Sequence, residues 1–381
     1  MVRVLHVVGT MNRGGIETML MNFYRNIDRD KIQFDFAVHG SGIGEYEPEI
    51  RALGGRIYHV RSKSESFLGN LADLTRVVKE NHYNIVEVHQ DAMSMFALRC
   101  AKKGGASVRI AHAHSTSMPP SRMGKIVYPY ALKRTLRYTT DKFSCSRKSA
   151  EYLFQGNVAG THYIYNGIET ERFRFRESAR RKIRQTYGLG DAFVLGQVGN
   201  FLHPKNQLFT LEVFRELLKM NPQARLVFCG AGKDMESCRQ RASELGILQA
   251  VVFAGNVDNV HEMLSAFDAL ILPSFYEGFP VSVIEGQCSG LSCFVSDTIT
   301  QETKITDRIH YCSLKAAPKV WAQEILGVPD TDRHLYADQV KQAGFDIGSV
   351  IHKLQEFYLE AARRNGGDGQ RPRESSCNGQ A

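Results

Sequence analysis

Short apolar runs alternate with amphipathic stretches along the whole chain, and the alternation starts afresh near its middle. This constrains the fold more than any other feature. An apolar run followed by a helical repeat is what a parallel strand and its crossover helix require, because helices then cover both faces of the sheet. The first half offers such runs at 2–8, 34–39, 57–60, 85–89, 108–112, 142–145 and 162–165, with helical patterns at 16–26 and 70–80 among them. The second half offers 193–199, 225–229, 251–254, 269–272 and 293–296, with helices at 207–219 and 234–245. Between the halves, 166–187 is polar and charged and reads as a linker. The expected class is α/β, with two domains in tandem, 1–170 and 171–346, each with its own parallel sheet. A last helix is expected at 347–364 from its apolar and charged periodicity. The tail 365–381 has almost nothing to bury and reads as disordered.

With 381 residues the chain is long enough to bury two sizeable cores. No apolar run reaches the roughly 18–20 residues of a membrane span. The apolar start, 1–10, lacks a small-residue cleavage site and reads as a strand, so a cytoplasmic location is expected. Eight cysteines are scattered without a C-x-x-C pair or a zinc spacing, which suits reduced, buried thiols. The net charge of +8 admits nucleic acid, an anionic membrane or phosphorylated ligands. No aromatic-basic strand motif or helix-turn-helix pattern is present, so nucleic acid is not expected. The stretch 121–148 carries Arg122, Lys125, Lys133, Arg134, Arg137, Lys142, Arg147 and Lys148 among Tyr128, Tyr130, Leu132, Leu136 and Tyr138. It reads either as a basic amphipathic helix for an anionic membrane surface or as a solvated charged face.

Four constellations carry the chemistry. Gly9 to Glu17, with Gly14 and Gly15, follows the first strand and leads into a helix, where glycines and free helix N–H groups can receive a phosphate. Its spacing is not G-x-G-x-x-G, which disfavours a nicotinamide cofactor. His112 and His114 end a strand and run into Ser115, Thr116 and Ser117, at the sheet edge where open parallel sheets bind ligands. No acidic or cysteine partner lies at ligand spacing, so metal is the weaker option there. The stretch Gly199, Asn200 to Lys205, Asn206 sets a lysine beside a glycine turn at a helix start, placed to neutralise a diphosphate. Finally, Pro273-Ser274 leads through Glu277-Gly278-Phe279-Pro280 to Glu285. Glu277 and the turn amides suit sugar hydroxyls, and Glu285 reaches further, to a ribose.

In this order the four pieces resemble the retaining glycosyltransferases of the GT-B fold, family four, of the bacterial exopolysaccharide and lipopolysaccharide type. The resemblance runs over roughly 2–360, and its most specific piece is the E-x7-E pattern of Glu277 and Glu285. It implies two facing Rossmann-like domains, the first for the acceptor and the second for a nucleotide-sugar, with the last helix crossing back to the first domain. It implies retention, a UDP-linked donor, a glycan or lipid-linked acceptor, and no cofactor or divalent metal. By matching position, His114, Lys205 and Glu277 are the catalytic candidates. Gly14, Gly15, Asn200, Lys205, Gly278, Phe279, Pro280 and Glu285 are the donor-binding candidates. The sequence departs from the pattern at Asn200, where the family has Arg, at Gly286, where it has Ala, and at Ser292, where it has Pro. Asn200 leaves a second reading, a weak or inactive nucleotide-sugar-binding subunit. Sugar-nucleotide epimerases share the fold as a further alternative.

Overall fold

The computed structural model describes residues 1–115, 122–329 and 331–366. Two parallel sheets organise it. The first holds β1 (Val2–Val7), β2 (Ile32–His39), β3 (Ile57–Val60), β4 (Ile85–Val88), β5 (Val108–Ala113), β6 (Asp141–Ser144) and β7 (Thr161–Tyr163), in the order β3-β2-β1-β4-β5-β6-β7. The second holds β8 (Val194–Val198), β9 (Arg225–Cys229), β10 (Val251–Gly255), β11 (Ala269–Leu272), β12 (Ser292–Ser296) and β13 (Ile309–Cys312), in the order β10-β9-β8-β11-β12-β13. The strand order reverses between β1 and β4 and again between β8 and β11. Each reversal opens a crevice at the strand C-termini, where ligands bind in such sheets.

The strands form where the apolar runs are, because helices bury both faces. In β2 the interior tolerates one carboxylate: fully buried Asp35 receives Arg3 through two nitrogens and the Tyr83 hydroxyl at 2.6 Å. The pattern missed β13. It is a short edge strand with His310 and Tyr311 half-buried, so it carries no apolar run.

Two expectations need correction. The stretch 166–187, read as a linker, holds the crossing at Ile168, but most of it is helical and packs with the second domain. It contains the helices Thr170–Phe173 and Glu177–Thr186, and the second buries Ala179 and Ile183 against the second domain. Arg180 and Arg184 of that helix both pair with Asp268 at 2.7 Å. Nor is 121–148 one amphipathic helix. Ser121 lies outside the described residues, the helix Arg122–Thr135 ends before β6, and a separate helix, Arg147–Leu153, follows. Tyr128 is buried, and Leu132, Leu136 and Tyr138 pack on the first core, while Tyr130 stays exposed. Lys142 donates to the carbonyls of Asn157 and Ala159.

The last helix, Ile347–Gly366, packs Val350, Ile351, Leu354, Phe357 and Tyr358 into the first domain's core. The chain thus crosses between the domains twice, and the crossings are bonded to each other: Ile168 N–H to Phe345 O at 2.9 Å, and Ile347 N–H to Ile168 O at 2.8 Å. Seven cysteines are buried and unpaired, and Cys377 lies outside the described residues with 367–381. No helix among the described residues is long and apolar enough to cross a membrane.

Candidate active site

In the second domain the loops after β8 and β9 touch at glycines. A Cβ on Gly230, whose φ is +140°, would lie 2.2 Å from Gly199 O, so no side chain fits between the loops. Lys205 closes the short turn His203–Lys205, and Asn206 follows in the left-handed region. Gln197 donates to Lys205 O at 2.9 Å, and Asn206 donates to Pro273 O at 3.0 Å, tying this turn to the end of β11. Across the crevice, the Lys205 Nζ donates to Glu277 Oε1 at 2.7 Å, and the Ser274 hydroxyl donates to the same oxygen at 2.7 Å. The pair is largely buried, so its charges act in a medium less screening than water. Asn200 stands exposed beside Gly199, and its carbonyl accepts from Gln207.

Pro280 caps the helix Val281–Cys288. The Phe279 side chain does not face the crevice. It stacks on Phe345 with ring centres 5.7 Å apart, so only the Phe279 amide remains for a ligand. Glu285 is half-buried in the helix; burial raises its carboxyl to about 7, opposed by the charge of Arg172.

The first domain contributes His114 at the end of β5. Asp91 Oδ1 accepts from the His114 and Ser115 amides at 2.9 and 3.2 Å, fixing the turn there; burial raises this carboxyl to about 6 against those two bonds. His114 Nε2 faces His89 Nδ1 at 2.9 Å, and His89 Nε2 faces His6 Nδ1 at 3.1 Å. Below them Glu87 accepts from His112 Nδ1 at 2.7 Å and from the Tyr358 hydroxyl. Burial keeps all four imidazoles neutral at neutral pH, with His6 lowered to about 4 and His112 to about 3.

The two domains meet at this point. A Cβ on Gly278 would lie 2.3 Å from the His114 carbonyl oxygen, so the Glu277 turn sits directly against the His114 strand end. Gly14 and Gly15 begin the helix Gly15–Asn26, and neighbouring Arg13 reaches Asp258 of the second domain at 3.6 Å. Thr116 and Ser117 lie outside the described residues.

The model for "Glycosyltransferase Family 4" matches residues 13–172, and that for "Glycosyl transferases group 1" matches 179–312. The chain is 32% identical over 371 residues to the Bacillus subtilis protein named "Putative glycosyltransferase EpsF", covering 93% of this chain and 96% of that one. This chain belongs to the family 4 glycosyltransferases. It is 25% identical to the capsular polysaccharide biosynthesis glycosyltransferase CapH of Staphylococcus aureus, across 94% and 99% of the two chains. Among solved structures it superposes on HepE of Anabaena in complex with UDP with a TM-score of 0.78, at 16% identity, covering 94% of this chain and 100% of that one. Its fold is GT-B, as the resemblance implied.

Sequence reasoning about this glycosyltransferase passed over His6, Glu87, His89, Asp91 and Tyr358. His89 carried the same signal as His112, a histidine ending an apolar run at the sheet edge, and the same argument reaches it. Tyr358 carried none, because only the return of the last helix brings it under Glu87. Two trios, His89 with His112 and His114, and His6 with Glu87 and His89, lie close enough to invite a metal. The His114–His89 and His89–His6 nitrogens face each other at hydrogen-bond length, with ring centres 5.2 and 5.3 Å apart. The rings of His112 and His114 stack with centres 4.1 Å apart.

Proposed function

We propose that this transferase moves a sugar from a nucleoside-diphosphate sugar, preferably UDP-linked, to a glycan or lipid-linked acceptor in polysaccharide biosynthesis, with retention and without a divalent metal. The observation that carries the reading is the Lys205–Glu277 pair set against the His114 strand end across the domain crevice. Lys205 turns from Glu277 to the donor diphosphate and offsets the charge that develops as the bond from the anomeric carbon to the phosphate oxygen breaks. Glu277, freed of Lys205, takes a sugar hydroxyl, beside the amides of Gly278 and Phe279. Glu285 takes the ribose diol. The acceptor oxygen bonds to the anomeric carbon on the face the diphosphate leaves, and its proton passes to the departing phosphate oxygen. His114, neutral and buried, borders the reacting carbon, and the closed crevice keeps water out.

Support for the polysaccharide role comes from the capsular role that CapH is named for, and for UDP from the ligand of HepE. A membrane contact is proposed through the exposed cations Lys133, Arg134 and Arg137, with Tyr130 exposed beside Arg134 while Leu132, Leu136 and Tyr138 pack inward. Absence of binding to anionic vesicles at low salt removes that part of the reading. The central test is a thermal-shift series with UDP, GDP, ADP and CMP. The melting temperature should rise with UDP, and Glu285→Ala should abolish the rise. No shift with any nucleotide at millimolar concentration favours instead an inactive subunit, with Asn200 as the first suspect.

A further inference from the structure

The first domain's crevice, between the ends of β1 and β4, opens into a cavity of about 530 Å³ lined in part by Gly9, Glu17, His39, Lys63, His89 and Gln90. The proposed chemistry of His114 uses only its rim, through His89. Its far wall holds a cation without an anion. Lys63 Nζ donates to Gln90 Oε1 at 2.8 Å, and no carboxylate among the described residues lies within ion-pair distance of it. The other basic groups of the wall, His39 and His89, are held neutral by burial. The cavity's acid, Glu17, stands at the start of the helix Gly15–Asn26, and burial raises its carboxyl. Burial also lowers the Lys63 ammonium, to about 8, so it still carries its charge at neutral pH. Long cations in half-buried positions ordinarily have a carboxylate partner, because an unpaired charge taken from water is costly. A ligand that brings an anion there gains a charge-assisted hydrogen bond the protein leaves unmade.

We propose that the acceptor of this transferase carries an anionic group, a carboxylate or a phosphate, that seats on Lys63 in the first-domain cavity. The inference rests on the transferase reading above and adds the acceptor's charge to it. The anion has two possible sources of the same chemistry, a uronic-acid residue of the glycan or the phosphate of a carrier lipid. The neutral part of the acceptor lies against Gln90 and Glu17, whose remaining hydrogen-bonding capacity suits sugar hydroxyls, while both nitrogens of His39 are taken by Asn70 and Gln90. The reacting hydroxyl lies toward His89 and His114.

The test is calorimetric titration of the full chain, saturated with UDP to fill the donor site, with glucuronate, glucose 1-phosphate and glucose. At least one anion should bind the wild type tenfold or more tightly than glucose. Which anion is preferred identifies the source. Lys63→Met should remove the preference, and Lys63→Arg should restore part of it. UDP affinity measured alone should be the same in wild type and Lys63→Met. Equal binding of the three sugars, a preference that survives Lys63→Met, or no anion binding while UDP binds, each overturns the proposal. So does a loss of UDP affinity in Lys63→Met, which would make Lys63 a donor-diphosphate cation. Failure of UDP to bind the wild type overturns the transferase reading instead, and this inference with it.

Discussion

At the residue scale the most informative group is Glu285. Its carboxyl is raised to about 7 by burial, so folding takes up a proton here between the ordinary carboxylate range and about pH 7. The folded state therefore loses stability from this group as pH rises through that window. Nucleotide binding has the opposite slope, because a ribose diol donates two hydrogen bonds and the ionised carboxylate accepts both. UDP affinity of the wild type, relative to Glu285→Gln, should rise about tenfold from pH 6 to pH 8. The ratio cancels the ionisation of UDP itself, and titration calorimetry at the two pH values reads it. A flat ratio removes Glu285 from the ribose site. Lys205 makes the complementary case. Its loss takes away the cation proposed to face the departing diphosphate, and removal of one such group costs about 100- to 1000-fold in kcat. Lys205→Ala should fall in that range, with UDP affinity weakened as well. A wild-type transfer rate in that variant would end the mechanism given above.

At the scale of elements, the last helix does more than cover a core. Its Tyr358 hydroxyl donates to Glu87, which also holds His112 beneath the His114–His89 pair. All of these groups are buried, so a removed donor leaves a carboxylate short of a partner where water does not reach. Tyr358→Phe should lose about 1.5–3 kcal/mol of stability in urea unfolding. An unchanged midpoint would mean that Glu87 is protonated and indifferent to this hydroxyl. Elements with strong periodicity were readable in advance: the helix Gln207–Met220 and the strand Ile32–His39 announce themselves by apolar residues at their own spacing. The helix Glu177–Thr186 did not, because Arg180 and Arg184 give it the look of a solvated linker. Only the fold supplies Asp268 as their common partner.

For the whole molecule, the question is what holds the two domains in reacting distance. Three kinds of contact at the seam bear on this, beside the Arg13–Asp258 pair. The Glu302 carboxylate of the second domain accepts from the Arg147 and Lys148 amides of the first, at 2.6 and 3.1 Å. The crossings at 168 and 345–347 are bonded to each other. Gly278 rests on the His114 carbonyl with no room for a methyl group. Gly278→Ala therefore pushes the proposed sugar-binding turn away from the first domain without touching the proposed ribose site at Glu285. Transfer should drop about a hundredfold, the scale expected for a 1 Å misplacement of reacting groups. UDP affinity should stay within about threefold of wild type, since in the proposed complex the nucleotide is held through Glu285. Comparison of kcat with the Kd for UDP separates the two effects. Parallel losses in both would mean that the substitution unfolds the turn.

The sequence alone determined the class of fold and twelve of the thirteen strands among the described residues, and it nominated Lys205, Glu277, Glu285 and His114 as site candidates. It could do so because burial on two sheet faces, tight glycine turns and carboxylates in apolar helices leave a local imprint on residue type. What only the tertiary structure decided is pairwise: that Lys205 is bound to Glu277, that Phe279 stacks on Phe345 away from the crevice, that His89 continues the line of His114 with Tyr358 beneath Glu87, and that Lys63 faces a cavity without a carboxylate. Each such relation joins residues far apart in the chain. No local pattern encodes it, because the energy of a buried polar group is set by the partner the fold brings to it.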